Sequence, residues 1–367
     1  MSRPRVAIAH DYLTQRGGAE RVVLALMRAF PDAKVHTLLY DADATFPEFR
    51  DARVVASPLN RVGPLRRHHR AALPLLAPAA SRMRIDADVT VVSTSGWAHG
   101  FDVQGRSVVY CHNPARWLYQ ADHYLGRRSR SLPGVVLGAV TPALRRWDRA
   151  AMRRHDTHLV NATVVRERFR SAYGIDARVV FPPTVVTPEG DEARVGPFDP
   201  GFHLVVSRLL PYKNVDKAVD AFHSLPDERL LVIGRGPEAD RLRATLPPNV
   251  AIVSDVSDAQ LRWAYRHALA LVAPSIEDFG LTPLEAGAFA KPTLALRGGG
   301  YLDTVADGVN GLFFDHPEAA AIATAVAAGR RTPWDEAAIL RHGRRFDEET
   351  FRASIHAAVD QVLAGSG

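Results

Sequence analysis

Pro274-Ser275-Ile276-Glu277-Asp278-Phe279-Gly280-Leu281-Thr282-Pro283-Leu284-Glu285-Ala286-Gly287 sets two carboxylates, Glu277 and Glu285, eight positions apart across a strand-to-helix turn. The apolar run 269–273 before it predicts a buried strand. Thr282 then reads as an N-cap, Pro283 as the first helical position and Glu285 as the acid closing a capping box. One acid thus stands on a loop beyond a strand's carboxyl end and the other in the first turn of the next helix. Ligands bind there in open α/β sheets, and a helix N-terminus suits a phosphate. Two acids beside an anion site call for a ligand that also carries hydroxyls, as a sugar or ribose does.

Working outward, alternation dominates. Strand-like runs at 6–10, 35–40, 89–93, 107–112, 157–161 and 178–181 are followed by a second series at 203–207, 229–234, 250–254, 269–273, 292–296 and 311–314. Helical patterns at 19–30, 215–224, 258–268 and 282–290 fall between them, so the fold class is α/β with parallel sheets. With 367 residues the chain exceeds what one core normally supports, which predicts two doubly wound domains facing a cleft. The Pro/Gly-rich stretch 182–200 reads as the linker and hinge. A final helix at 347–363 presents Phe351, Ile355, Ala358, Val359 and Val362 on one face.

Composition narrows the classes. Hydrophobic residues at 47% and charged residues at 23% are those of an ordinary globular protein. The single Cys111 excludes an intramolecular disulfide and argues against structural zinc. The N-terminus runs straight into a strand without a signal-type apolar region, so a cytoplasmic protein is expected. Charge is uneven: residues 1–180 hold 28 Lys+Arg against 15 Asp+Glu, and residues 181–367 hold 18 against 25. A basic first half suits nucleic acid, an anionic membrane or an acidic substrate.

Other chemistry-bearing positions sit at predicted strand ends. Arg208 and Lys213 lie on the loop after the first strand of the second half, and two cations there match a diphosphate. A lysine is conspicuous in a chain that uses arginine almost everywhere, although a solvated loop is the plain alternative. His112 ends a strand and would face a site rather than the core. His99 is a weaker case of the same kind. His10 and Asp11 close the first strand, and Gly17-Gly18 precede a helix, which fits either a tight turn or close backbone approach to a phosphate. Glu285 could serve only its capping box, whereas Glu277 has no structural excuse. Asp41-Ala42-Asp43 and Asp86-Ala87-Asp88 match a metal-binding DxD pattern, but at opposite strand ends and without a third acid, so no metal is expected.

These segments together resemble the retaining glycosyltransferases of family 4, which have the GT-B fold, and within them the mannosyltransferase subgroup of polysaccharide and O-antigen assembly. The resemblance runs through Gly17-Gly18-Ala19-Glu20-Arg21, Tyr110-Cys111-His112-Asn113-Pro114, residues 161–174, Phe181-Pro182-Pro183, residues 207–214 and Ile233-Gly234-Arg235-Gly236-Pro237. It continues through the Glu277/Glu285 pair and Gly298-Gly299-Gly300 to Asn310-Gly311. Asp303 and Ala290 depart from it, standing where relatives commonly carry glutamate and glycine.

The resemblance implies an N-terminal acceptor-binding Rossmann-like domain at 1–185, a linker at 186–200, a nucleotide-sugar domain at 201–345 and a C-terminal helix, 346–367, crossing back to the first domain. Glu277 would bind donor-sugar hydroxyls with the amides of Phe279, Gly280 and Leu281, and Glu285 would hold the ribose. Arg208 and Lys213 would neutralise the departing diphosphate, assisted by Gly17, Gly18 and the Thr282 helix end. His112 would contact the sugar near the reacting carbon, with His10, Asp11 and Trp117 on the acceptor side. The implied reaction is metal-independent transfer of a hexosyl group with retention and no cofactor. The donor is a nucleotide sugar, GDP-mannose by subgroup, and the acceptor a glycan or lipid-linked glycan. Residues 132–154 mix apolar positions (Val135, Val136, Leu137, Leu144, Trp147) with arginines. They read either as an interfacial helix for an anionic membrane, at the inner face of the cell membrane, or as an ordinary amphipathic helix. The rival classes are a nucleotide-sugar epimerase or hydrolase of the same architecture, a basic nucleic-acid-binding protein, disfavoured because RNA motifs are absent, and an inactive donor-binding scaffold.

Overall fold

A computed structural model describes residues 4–67, 73–120, 132–184 and 186–365. The chain forms two compact units, one of Met1–Pro183 with Glu348–Gly367 and the other of Thr184–Asp347. In the first, the strands are β1 (Val6–Leu13), β2 (Lys34–Tyr40), β3 (Val54–Ala56), β4 (Arg84–Ile85), β5 (Val89–Thr94), β6 (Asp102–Val103), β7 (Arg106–Cys111), β8 (Thr157–Val160) and β9 (Arg178–Val179). In the second they are β10 (Phe202–Val206), β11 (Leu230–Ile233), β12 (Val250–Val253), β13 (Ala268–Ala273), β14 (Thr293–Leu296) and β15 (Gly311–Phe314).

The first unit's main sheet runs β3-β2-β1-β5-β7-β8-β9, and the second's runs β12-β11-β10-β13-β14-β15. Every pairing in both is parallel. Each order reverses once, between β1 and β5 in the first sheet and between β10 and β13 in the second. Such a reversal opens a crevice at the strands' carboxyl ends, because the connections on its two sides leave in opposite directions. The loops after those four strands are therefore where a ligand fits; they carry Glu277 and Lys213, and Ser93 lies at the carboxyl end of β5. Strands buried on both faces read as continuous apolar runs, as the fully buried Leu230–Ile233 does.

The C-terminal helix, Glu348–Ala364, belongs to the first unit. Phe351, Ile355, Ala358, Val359 and Val362 are all buried in that unit's core with Ile8, Val91 and Tyr110. Arg28 clamps the helix start by a bidentate pair to Glu348, at 2.6 and 2.7 Å.

Three differences from the sequence expectations have physical causes. The strand expected to end at His10 and Asp11 continues to Leu13. Residues 186–200 are not a free tether: Val186 and Val195 are buried in the second unit's core. Arg262 and Arg266 donate to the Asp191 and Pro188 carbonyls at 2.9 and 2.8 Å. The chain passes between the units at 183–184 and at 347–348. Finally, the helix expected at 282–290 spans Leu281–Ala288 and is capped by Gly280 with no side-chain bond. Thr282 is inside it, so the expected capping box does not form.

That helix ends in a Schellman motif. Ala290 N–H donates to the Gly287 carbonyl at 3.0 Å and Lys291 N–H to the Ala286 carbonyl at 2.9 Å. The motif needs a left-handed residue, and Ala290 supplies it at φ 57°. The departure noted at this position is thus an alanine held where glycine is favoured.

Candidate active site

In the second unit, the loop after β10 makes a tight turn at Pro211–Lys213, closed by Asn214 in the left-handed region at φ 53°. The Asn214 amide donates to the Pro274 carbonyl at 2.9 Å, tying this loop to the one after β13. Across that tie Lys213 Nζ forms an ion pair with Glu277 Oε1. The lysine side chain is 8% exposed and the glutamate 27%. Ser275 Oγ donates to the same carboxylate oxygen at 2.6 Å. It also lies 3.5 Å from the Tyr301 hydroxyl. Burial, with Glu277 nearby, pushes the Tyr301 hydroxyl far up, so it stays neutral. Arg208 is exposed on the same loop, its guanidinium 3.3 Å from the Tyr212 hydroxyl. The structure therefore brings Arg208, Lys213 and Glu277 to one sheet edge at the switch point.

Gly280 turns the chain from the Glu277 loop into the helix at φ 88°, and a Cβ there would lie 2.5 Å from the Tyr301 ring. Only glycine meets both conditions. With no side chain capping this end, the first-turn N–H groups at Leu281 and Thr282 lack intrahelical acceptors and aim their partial positive charge at the loop. The Gly298-Gly299-Gly300 run supports the loop from beneath: Gly300 N–H donates to the Glu277 carbonyl at 2.8 Å. Phe279 is buried, 6.1 Å from the Phe346 ring. Glu285 is buried one turn further on and accepts from the Tyr265 hydroxyl at 2.6 Å. That contact is tertiary, twenty residues away in sequence.

In the first unit, His10 and His112 meet at Ser93. Ser93 Oγ is 3.0 Å from His10 Nδ1 and 2.8 Å from His112 Nε2. Burial, with His10 adding to it, pushes His112 down to about 3, so it is neutral at ordinary pH. Asp11 serves its own unit. It accepts the Ser95, Trp97 and Ala98 N–H groups at 2.6, 3.0 and 2.7 Å and the Thr94 hydroxyl at 3.1 Å. Both carboxylate oxygens are thereby committed to shaping the loop after β5, a different task from the acceptor contact expected of it. Trp117 is buried and stacks on Trp97 with centroids 4.8 Å apart. His99 is fully buried, its Nε2 2.9 Å from Asp148 Oδ1 in the same unit.

Gly17 precedes the Gly18–Ala29 helix with extended backbone. Its reason for being glycine is space, since a Cβ would lie 2.5 Å from Glu20 Oε2. The Glu20 carboxyl is buried against Gly17, desolvation raises its pKa, and Gln15 Nε2 donates to its Oε1 at 3.0 Å. An acid already occupies the helix end where the sequence suggested a phosphate contact. Ser93, Ser275, Tyr301, Tyr265 and Glu20 were all missed. Serines and tyrosines within strand and helix patterns carry no signal of their own, and Glu20 looks like any first-turn acid.

Two family models match: Glycosyltransferase Family 4 over residues 16–189 and Glycosyl transferases group 1 over residues 192–329. The chain belongs to glycosyltransferase family 4. It is 30% identical over 249 residues to the GDP-mannose-dependent alpha-(1-6)-phosphatidylinositol monomannoside mannosyltransferase of Mycolicibacterium smegmatis, covering 59% of this chain and 65% of that one. It is 33% identical over 187 residues to the D-inositol 3-phosphate glycosyltransferase of Segniliparus rotundus, covering 46% and 42%. The matches thus span less than two thirds of either relative. Anabaena HepE, solved with UDP-glucose, superposes with a TM-score of 0.69 at 18% identity over 98% of this chain and 100% of that one. The family 4 chain accordingly has the GT-B fold, two α/β units each built on a parallel sheet.

Proposed function

We propose that this family 4 chain transfers a hexosyl group from a nucleotide diphosphate sugar to a glycan or lipid-linked acceptor, with retention at the anomeric carbon. The observation that carries the reading is the Lys213–Glu277 pair at the switch point beside an uncapped helix N-terminus. A cation, an acid and free backbone dipoles within a few ångströms match the three parts of a sugar diphosphate. Lys213 and Arg208 take the charge that develops on the leaving diphosphate, in a site where fixed cations need no reorganisation. Glu277 holds sugar hydroxyls, and Glu285, oriented by Tyr265, holds the ribose. The first-turn amides of the Leu281–Ala288 helix complete the phosphate cradle. His112 donates to the transferred sugar.

The donor we favour is GDP-mannose, which the name of the M. smegmatis relative includes, and the process is cell-envelope polysaccharide synthesis. Incubating the protein with GDP-mannose, UDP-glucose and other nucleotide sugars, with and without a glycan acceptor, tests this. Acceptor-dependent release of the nucleotide, an α-linked product from an α-donor and activity undiminished by a chelator are expected. Donor isomerised or hydrolysed without an acceptor would overturn the reading in favour of an epimerase or hydrolase.

For a lipid-linked acceptor, the supporting feature is a groove of about 350 Å³ lined by Pro78, Val140, Ala143, Leu144 and Trp147. The arginines of residues 132–154 contribute less than their number suggests. Arg145 donates to the Leu118 carbonyl, Arg149 to that of Ala172 and Arg154 to that of Gly100. The side chains of Val135, Val136 and Leu137, and the cluster Arg127, Arg128 and Arg130, lie outside the described residues. Among the described residues no helix is long and apolar enough to cross a membrane. Flotation with anionic vesicles is expected to carry the protein upward, and equal behaviour with neutral vesicles would remove the membrane claim.

A further inference from the structure

Ser93 stands at the switch point of the first sheet, paired in register with His10 and fully buried. Its hydroxyl lies between two imidazoles, and which of them it donates to can be worked out. His10 Nδ1 is 3.0 Å from Ser93 Oγ and also 3.2 Å from the Ser93 carbonyl oxygen. A carbonyl only accepts, so His10 Nδ1 carries its proton and directs it at these two oxygens. The hydroxyl is then an acceptor toward His10, and its own proton is left for His112 Nε2 at 2.8 Å. An Nε2 that accepts is unprotonated, so a neutral His112 carries its proton on Nδ1. The reverse arrangement would turn the His10 Nδ1 lone pair onto the carbonyl lone pairs in a site where His10 is only 2% exposed. That opposition has no solvent to relieve it.

We propose that Ser93 is a positioning residue whose hydroxyl, itself oriented by His10, fixes His112 as the Nδ1–H tautomer, so that Nδ1–H is the donor presented to substrate. Among the described residues Ser93 is the one hydrogen-bond partner of the His112 ring, which leaves Nδ1 available. His112 then acts by donating a hydrogen bond and not by abstracting a proton. The effect on transfer rests on the transferase reading above, in which His112 touches the sugar.

The test is long-range ¹H–¹⁵N correlation on the full chain labelled at histidine, with His112 assigned by its loss in His112→Asn. Expected in the parent protein near neutral pH is a protonated Nδ1 and an unprotonated Nε2. A protonated Nε2 overturns the proposal, and this measurement needs no altered protein to fold. In Ser93→Ala the tautomer moves toward a mixture and turnover falls about tenfold, the worth of one hydrogen bond, with donor KM within about twofold of the parent. Ser93→Thr, which keeps the hydroxyl, restores both. An unchanged tautomer in Ser93→Ala also overturns it. Were the tautomer as expected but His112→Asn fully active, the role of His112 in transfer would fail while the Ser93 arrangement stood.

Discussion

Replacing Lys213 by Met and Glu277 by Gln, singly and together, separates what the ion pair does for folding from what it does for transfer. At contact and an effective dielectric of about 20 the attraction is about 4 kcal/mol or somewhat more. Desolvating two mostly buried ions costs several kcal/mol. The pair is therefore nearly neutral against two uncharged side chains, but a partner left alone is costly. The two singles differ, because the lysine side chain is 8% exposed and the glutamate 27%. Glu277→Gln strands the more buried charge and should cost about 3 kcal/mol, the lower end for a broken buried pair. Lys213→Met strands a carboxylate that still accepts from Ser275 and should cost about 1–2 kcal/mol. At about 2–4 °C per kcal/mol for a unit of this size, those are Tm losses of roughly 6–12 °C and 2–8 °C. The double variant should return to within about 1 kcal/mol of the parent, since no charge is left unpaired. Turnover must not follow. Lys213→Met should lose about 100-fold or more at saturating donor, and the double variant should stay as low. Calorimetry and initial-rate assays on the four proteins decide it. Lys213→Met turning over within threefold of the parent, or a double variant less stable than both singles, would refute the reasoning.

Tyr265→Phe removes the donor to Glu285 and should raise donor KM several-fold with kcat little changed, read from steady-state kinetics; a fall in kcat alone would contradict a ribose role. Ala290→Gly relieves a left-handed alanine at a helix end and should stabilise the second unit by about 1 kcal/mol, measured by urea unfolding. Burial pushes His155 down to about 4 from 6.5. The unfolded chain therefore binds this proton first, and its contribution to stability is intact above pH 6.5 and is lost as pH falls toward 4. His155→Gln should flatten the stability loss in that window by up to about 1.4 kcal/mol per pH unit, followed by unfolding titrations at pH 7, 5.5 and 4.5.

Apart from the three-residue edge strand Val54–Ala56, the strands of both main sheets were legible because β-branched runs bounded by glycine, proline and polar residues have few other readings. The pairs Arg84–Ile85 and Asp102–Val103 were not, since two residues carry no periodicity. At the helix start, Thr282-Pro283-Leu284-Glu285 reproduces a capping signature in full. What overrides it is Gly280, whose positive φ is set against the Tyr301 ring, a contact twenty-one residues away in sequence. The mid-chain proline and glycine residues looked like a tether because burial of Val186 and Val195 depends on partners elsewhere in the chain. Lys213 and Glu277 stood out as candidates because charge on a loop beyond a buried strand has no evident folding purpose, and the structure pairs them. Ser93 was invisible, because a serine inside Val89-Thr90-Val91-Val92-Ser93-Thr94 reads only as strand.

The Lys213–Glu277 pair also constrains how a donor binds, because the site is occupied by its own charges before any ligand arrives. A diphosphate that draws Lys213 away leaves Glu277 beside an anion with Ser275 alone, and a like charge brought to a carboxylate opposes binding. The opposition is relieved when sugar hydroxyls donate to Glu277 in the lysine's place. Diphosphate and sugar must therefore enter as one molecule for the exchange to be complete. The nucleoside diphosphate alone should bind the parent more weakly than the intact nucleotide sugar, by about tenfold for one or two hydrogen bonds foregone. Glu277→Gln removes the stranded charge, so in that variant the difference should shrink or reverse. Isothermal titration of both ligands against both proteins measures it. A preference for the nucleotide sugar of equal size in parent and variant would mean that Glu277 does not sense the sugar, and the assignment of the acid to the donor's hydroxyls would fall.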